Sequence, residues 1–359
     1  MIPMPKADTP VWSDSEELEC VMLIPEAPGV VTFTFRPPSG ARFLYKAGQF
    51  ITLDLPVPGQ GGSIQRTYTI SSSPVSSAYI TVTVKAQEGS IGTRWMLDHL
   101  RPGMRLRAYG PAGLFHLPPQ PDGKYLFISA GSGVTPMMSM ASTLFERGED
   151  PDICFIQCAR RPLDLIFRRR LEYMAGRVTG LQLHFIVKQA DPYDAWTGYR
   201  GQFNQLMLGL MCNDYLERDV YCCGPEGFMT SVREILHSIG YDMERYHQES
   251  FEAPAETVAE ITEFDDAVPD EAVAAEIVFS RSGVSVGCNE NDTVLQVARA
   301  AGLRIPSGCT FGICGTCRVK KSEGEVYMVH NGGISDEDIE DGYILACCSK
   351  PIGKVAIEA

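Results

Sequence analysis

Apolar residues along this chain follow two different rhythms, and the change falls near residue 119. Upstream, β-branched and aromatic runs occupy 30–35, 50–53 and 79–84, with turn clusters such as Pro37-Pro38-Ser39-Gly40 and Pro56-Val57-Pro58-Gly59 between them. Several short strands in so few residues predict a small β-barrel over 16–118. One helix is expected to interrupt it around 93–100, stopped by Pro102-Gly103. Downstream, apolar runs at 125–128, 153–156, 183–187 and 220–222 alternate with helical stretches such as 137–147 and 226–238. That alternation predicts a parallel sheet with helices on both faces over 119–251.

The pattern then breaks. Between 252 and 276 stand Glu252, Glu256, Glu260, Glu263, Asp265, Asp266, Asp270, Glu271 and Glu276, without Lys or Arg. This is the composition of a solvated linker, and a third domain is expected over 277–359. At 359 residues the chain exceeds a single core, so a multidomain α+β protein is expected. A formal net charge of -14 argues against nucleic acid or an anionic membrane as a general partner and suits a protein with a basic patch. No apolar run is long enough to span a bilayer. The start of the chain has a lone Lys6 and no apolar segment, so no signal peptide is read. The twelve cysteines are accordingly expected to be reduced thiols in the cytoplasm.

Four of those cysteines carry the most specific signal. Cys309, Cys314, Cys317 and Cys347 stand as C-x4-C-x2-C with a distant fourth, the plant-type spacing for a [2Fe–2S] cluster. Gly308, Gly312 and Gly315 let backbone N–H groups turn toward the bridging sulfides. A one-electron carrier is expected, with these four thiolates as metal ligands. The remaining cysteines read mostly as small buried hydrophobes.

Three other segments have chemistry of their own. Arg66-Thr67-Tyr68-Thr69 closes a strand and offers a cation for a diphosphate, a ring for a flat heterocycle and a donor for its nitrogen. Ser129-Ala130-Gly131-Ser132-Gly133-Val134-Thr135-Pro136 is a strand-to-helix turn whose bare backbone and helix dipole suit a pyrophosphate. It lacks the third glycine of the usual dinucleotide fingerprint and has Pro136 instead. Cys223-Gly224-Pro225 ends a strand at the edge where open α/β sheets bind ligands. After the second strand, Ala159-Arg160-Arg161 brings no carboxylate for a ribose 2′-hydroxyl, while an arginine there receives a 2′-phosphate. Arg168-Arg169-Arg170 reads as a solvated helix face.

In order and placement these motifs resemble the ferredoxin–NADP reductase superfamily, in its three-module form with a C-terminal ferredoxin domain of β-grasp type. The resemblance continues through Val84-Lys85, Gly92-Thr93 and Gly110-Pro111-Ala112-Gly113-Leu114-Phe115. It looks closest to reductase components of Rieske-type monooxygenases that demethylate glycine betaine and related quaternary amines. The resemblance implies that Arg66 holds a flavin diphosphate, Tyr68 packs on the isoalloxazine and Thr69 bonds its N5, where many relatives carry Ser. Thr67, Val84 and Lys85 belong to the same flavin site, and Gly92 and Thr93 would receive phosphates at a helix N-terminus. Gly131, Gly133, Val134, Thr135, Pro136 and Arg160 would seat the nucleotide, and Cys223, with Gly224 and Pro225, would approach the nicotinamide. Thr69 and Cys223 are thus the expected catalytic residues. Phe251 would cover the flavin or anchor the linker.

FAD is favoured because phthalate dioxygenase reductases, which use FMN, have an Asn-containing segment where this chain has Gly110-Pro111-Ala112-Gly113. NADH is the expected donor, with NADPH possible, since NADH-using relatives also carry an arginine at Arg160. Cys347 rather than Cys348 fits the family's gap length. The implied route runs from NAD(P)H through FAD to the cluster and then to a separate oxygenase. It requires no general acid–base dyad, and none stands out. The NADH reductase of a hybrid-cluster protein and an iron–sulfur redox sensor are the rival readings. The acidic stretch 335–341 would cap a short helix, present carboxylates to a basic partner, or both.

Overall fold

The computed structural model describes residues 9–58, 63–86, 89–118, 123–191, 195–251, 274–290, 292–307, 312, 315–330 and 333–359. They form two compact units, the first with two sheets and the second with one. In the first unit, strands β1 (Leu18–Ala27), β2 (Val30–Arg36), β3 (Phe50–Leu55), β4 (Ile64–Thr69) and β5 (Ile80–Lys85) precede helix α1 (Ile91–His99) and strand β6 (Arg105–Ala112). The sheet order is β4-β3-β6-β1-β2-β5. Alternate residues of the strands, among them Phe33, Phe35, Ile51, Leu53, Ile80 and Val82, fill one core without solvent contact. Helix α1 starts two residues before its expected position, so Gly92 and Thr93 fall in its first turn, behind Ser90 at the N-cap.

The alternating region follows as β7 (Lys124–Ala130), α2 (Val134–Glu146), β8 (Asp152–Ala159), α3 (Arg168–Ala175), β9 (Leu181–Val187), β10 (Tyr199–Arg200), α4 (Gln205–Met211), β11 (Asp219–Cys223), α5 (Glu226–Ser238) and β12 (Tyr246–Glu249). All paired strands are parallel, in the order β10-β9-β8-β7-β11-β12. The period of two sorts their residues onto two faces. Tyr125, Phe127, Phe155, Tyr221 and Cys223 pack with α2 and α3, whereas Leu126, Ile128, Cys154, Ile156 and Cys222 pack with α4 and α5. The arginine run lies on α3 as expected: Arg168 pairs with Glu172 at 3.0 Å and Arg170 with Glu146 at 3.4 Å.

The first face also meets the barrel, because Val30, Ala47, Phe115 and Leu117 join its core. Ser139 on α2 donates to the Ser72 carbonyl at 2.6 Å and accepts from the Gly48 N–H at 3.3 Å. Gly48 has φ +105°, and a Cβ there would stand 2.2 Å from the Phe115 carbonyl oxygen, so only glycine permits this approach.

In the second unit, β13 (Ala274–Phe279), β14 (Val284–Asn289), α6 (Val294–Ala300), β15 (Arg318–Met328), α7 (Asp336–Glu340), β16 (Tyr343–Leu345) and β17 (Ser349–Ile357) build a mixed sheet ordered β14-β13-β17-β15-β16. Thr293 and Gln296 form a capping box for α6, whose Val294, Leu295, Val297 and Ala298 enter the core. Strand β13 begins inside the stretch assigned to the linker. Ala275, Ile277 and Phe279 alternate into the core there, and β13 pairs with both β14 and β17. The rest of the acidic stretch, 252–273, lies outside the described residues. Ser335 caps α7 by accepting from the Asp338 N–H at 3.2 Å, the structural use foreseen for it. Asp338 itself pairs with Arg318 at 2.7 Å, which leaves Glu337, Glu340 and Asp341 exposed.

Candidate functional site

Strand β4 brings Arg66 to the surface and buries Thr69, as alternation along a barrel strand requires. Gly92 lets the Arg66 side chain cross the start of α1, since a Cβ there would stand 2.9 Å from Arg66 Cγ. A guanidinium and the free N–H groups of a helix N-terminus therefore converge, which suits a diphosphate. Thr67 is tied to Thr52 by a hydroxyl pair at 2.9 Å. The Tyr68 hydroxyl and Thr93 Oγ1 are buried with no hydrogen-bond partner. Buried polar atoms are costly when unpaired, so these two mark a place for a polar ligand. Together they fit FAD. Val84 turns its side chain into the barrel core, leaving only its backbone for a cofactor, while Lys85 is exposed.

Across from the barrel, the turn after β7 holds Gly131 at φ +57° and leads directly into α2. A Cβ on Gly133 would stand 2.2 Å from the Cys223 carbonyl oxygen, so this turn packs backbone to backbone against the Cys223-Gly224-Pro225 turn. Val134, Thr135 and Pro136 are buried, and Thr135 Oγ1 donates to the Ser132 carbonyl at 3.0 Å. Their side chains shape the turn, the Val134 N–H is taken by the Gly131 and Ser132 carbonyls, and Pro136 has none. Beside it opens a cavity of about 810 Å³ lined by Lys85, Gly131, Arg160 and Pro225 among the expected residues. Lys188, Gln189, Phe203 and Phe228 line it as well and were not anticipated.

The structure adds a residue that the sequence reading missed. The parallel register of β11 and β12 sets Cys223 opposite Glu249. Glu249 is 8% exposed, and the Thr69 hydroxyl donates to its Oε2 at 3.4 Å. Burial pushes its carboxyl from the usual 4.5 up to about 8, with the Thr69 bond pulling the other way. Burial, and then the neighbouring Glu249, hold the Cys223 thiol well above its ordinary value. Thr69, Cys223 and Glu249 thus meet where the two sheets join, with a neutral thiol and a carboxyl that carries a proton at pH 7. Glu249 is a buried carboxyl beside Thr69 that the sequence reading did not single out. Phe251, two residues on, is 43% exposed.

In the second unit, Cys317 and Cys347 are buried side by side: the Cys347 N–H donates to Cys317 Sγ at 3.4 Å. The Gly312 N–H donates to Cys347 Sγ at 3.3 Å, a backbone bond to a cysteine sulfur. Gly312 and Gly315 have φ of +75° and +67°, a backbone that only glycine adopts easily. Cys348 Sγ donates instead to the Leu345 carbonyl at 3.7 Å. Cys309 and Cys314 lie outside the described residues. The sulfur and N–H arrangement around Cys317 and Cys347 fits a [2Fe–2S] group.

Comparison with known proteins gives the same three parts. An oxidoreductase FAD-binding domain matches residues 26–117, an oxidoreductase NAD-binding domain 127–234, and a 2Fe-2S iron-sulfur cluster binding domain 277–351. The reductase subunit of stachydrine N-demethylase from Rhizobium meliloti is 60% identical over 97% of this chain and 98% of its own length. The glycine betaine monooxygenase reductase subunit of Pseudomonas aeruginosa is 42% identical over 98% of this chain and 97% of its own. Among solved structures, phthalate dioxygenase reductase aligns with a TM-score of 0.60 at 23% identity, covering 97% of this chain and 100% of that one. No helix among the described residues is long and apolar enough to cross a membrane. The chain is an NAD(P)H-dependent oxidoreductase, and it belongs to the family of FAD- and [2Fe–2S]-binding reductase subunits of multicomponent monooxygenases.

Proposed function

We propose that this chain is the cytoplasmic reductase of a two-component N-demethylase acting on quaternary ammonium substrates of the betaine type, stachydrine foremost. The observation that carries this reading is the 60% identity to a stachydrine N-demethylase reductase subunit over nearly the full length of both chains. In this reading the barrel is residues 16–118, the nucleotide domain 119–251 and the ferredoxin domain 277–359. Arg66, Gly92 and Thr93 hold the diphosphate of FAD, while Thr67, Tyr68, Thr69 and the Val84-Lys85 backbone border its ring and ribityl chain. The 131–136 turn and Arg160 seat NADH, and Cys309, Cys314, Cys317 and Cys347 ligate the cluster. When bound, FAD converts the nicotinamide's electron pair into the single electrons that an iron–sulfur cluster carries.

The chain's own residues position and insulate that exchange. Cys223 and Gly224 present the backbone edge beside which the nicotinamide lies, and Phe251 covers the ring between turnovers. Glu249, buried beside the Thr69 hydroxyl, would orient that hydroxyl and keep a proton near it when FAD is bound. The test is reconstitution with the partner oxygenase and NADH. Formaldehyde release from stachydrine, dependent on this chain, supports the reading. Electron delivery to a hybrid-cluster protein with none to the oxygenase refutes it, as does iron-dependent binding to a regulator without NADH turnover.

A further inference from the structure

The nucleotide cavity contains a carboxylate that the strand-end sequence conceals. Strand β8 stops at Ala159, and Pro162–Asp164 then form a single turn of 3-10 helix. Asp164 thereby joins Arg160 and Arg161 in lining the cavity, the only carboxylate among the described residues that do so. Arg161 grips it with both arms of its fork, Nε to Oδ2 at 3.0 Å and Nη2 to Oδ1 at 2.9 Å. Arg160 is turned aside, its Nε donating to Gln189 Oε1 at 3.2 Å. Of the other lining cations, Lys85 Nζ lies 3.6 Å from where a Cβ on Gly131 would stand, at the turn suited to the pyrophosphate, and Lys188 follows β9; Asp164 and Arg161 lie beyond the end of β8. In open α/β sheets that second strand end is where the adenosine ribose is read: an acidic side chain takes its 2′-hydroxyl, and an arginine without a partner takes a 2′-phosphate.

We propose that Asp164 is a specificity-determining residue which selects NADH over NADPH. Its fixed carboxylate accepts from the ribose hydroxyl, and it acts against a 2′-phosphate in two ways. It repels the phosphate directly, and it neutralises Arg161, a cation that would otherwise help to receive it. The proposal rests on the reading of this cavity as the nucleotide seat.

Asp164→Asn keeps the shape and removes the charge, and Asp164→Ala frees Arg161 altogether. The pair is partly exposed, at 42% and 20% for the two side chains, so its loss leaves the fold intact. Two readouts are compared: kcat/KM for flavin bleaching by NADH and by NADPH, and calorimetric Kd for NAD+ and NADP+. Both variants should raise the NADPH-to-NADH ratio roughly tenfold or more, and the double variant Arg161→Ala/Asp164→Ala should return most of that gain. Ratios within twofold of wild type in both single variants, with FAD bound and NADH still bleaching it, would overturn the inference alone. So would a wild-type protein that favours NADP+. Wild-type protein that binds neither nucleotide would overturn the cavity's assignment along with it.

Discussion

Replacing Glu249 by glutamine isolates the proton that the junction between the two sheets holds. Burial raises the Glu249 carboxyl from 4.5 to about 8, and the Thr69 hydroxyl at 3.4 Å is too distant to offset much of that. In the unfolded chain the group ionises at the lower value, so between the two values the folded state binds more protons. Stability therefore falls as pH rises through this window. At about 1.4 kcal/mol per unit, burial of this carboxyl costs on the order of 3 kcal/mol at pH 7 and about 5 kcal/mol above pH 8. Glutamine has the same shape, still accepts from Thr69 and never ionises. Relative to wild type, Glu249→Gln should be neutral near pH 5 and progressively more stable toward pH 9. Urea unfolding of FAD-loaded protein at several pH values measures this. Flavin fluorescence follows the first unit alone, because a chain of two units need not unfold in one step. The rate of flavin bleaching by NADH should break near pH 8 in wild type and lose that break in the variant. A stability difference that stays constant from pH 5 to 9 would refute the reasoning, since it would mean that Glu249 titrates like an exposed carboxylate.

Other substitutions probe the remaining sites. Cys317→Ser or Cys347→Ser should abolish the cluster's visible absorption while NADH still bleaches the flavin, and Cys348→Ser should keep both signals. Gly133→Ala places a Cβ 2.2 Å from the Cys223 carbonyl oxygen. It should cost about 1–3 kcal/mol in thermal unfolding and weaken NAD+ binding by calorimetry, because two turns must separate. Arg218 has a 3% exposed side chain that pairs with Asp214 at 2.7 Å and with Asp152 at 2.7 Å. Arg218→Leu should destabilise the first unit by about 3–5 kcal/mol in urea, as it leaves Asp214 without its main partner. Arg218 also holds the Asp214 carboxyl down from 3.8 to about 2. Wild type should therefore lose that contribution as pH falls from 4 through 2, and the variant should show a smaller acid limb, because Lys124 still pairs with Asp214.

What the sequence made legible is what local pattern determines. The runs at 30–35, 125–128 and 153–156 became β2, β7 and β8 because each carries its own period and turn chemistry. The cysteine spacing predicted that a loop cysteine and a distant one come together, and Cys317 and Cys347 do lie side by side. Glu249 was hidden because its meaning comes from pairing with a strand that ends at Cys223, and that register is set by the whole sheet. Asp164 was hidden for a smaller reason: the chain folds back within three residues of Arg161, so a carboxylate outside the strand-end motif still reaches the cavity. Val134, Thr135 and Pro136 belong to a motif read for its bare backbone, and the structure packs all three side chains inward.

The division of the chain into two compact units follows the division of its chemistry. Passing an electron pair from a nicotinamide to a flavin requires the reacting atoms to lie about 3–3.5 Å apart, and a misplacement of one ångström is costly. The barrel and the nucleotide sheet are accordingly fixed to each other at several points: Ser139 to Ser72 and Gly48, Thr69 to Glu249, and Phe115 against Tyr221 at 5.4 Å between ring centres. Within the nucleotide half, the Gly133 turn is fixed against Cys223. Three of these contacts involve backbone atoms, whereas Thr69 with Glu249 and Phe115 with Tyr221 meet through side chains. A single electron leaves without forming or breaking a bond, so the cluster needs no such register with the nicotinamide. It resides in a unit with its own core of Ile277, Phe279, Val294, Leu345 and Val355, joined to the first by the acidic stretch rather than by a shared sheet.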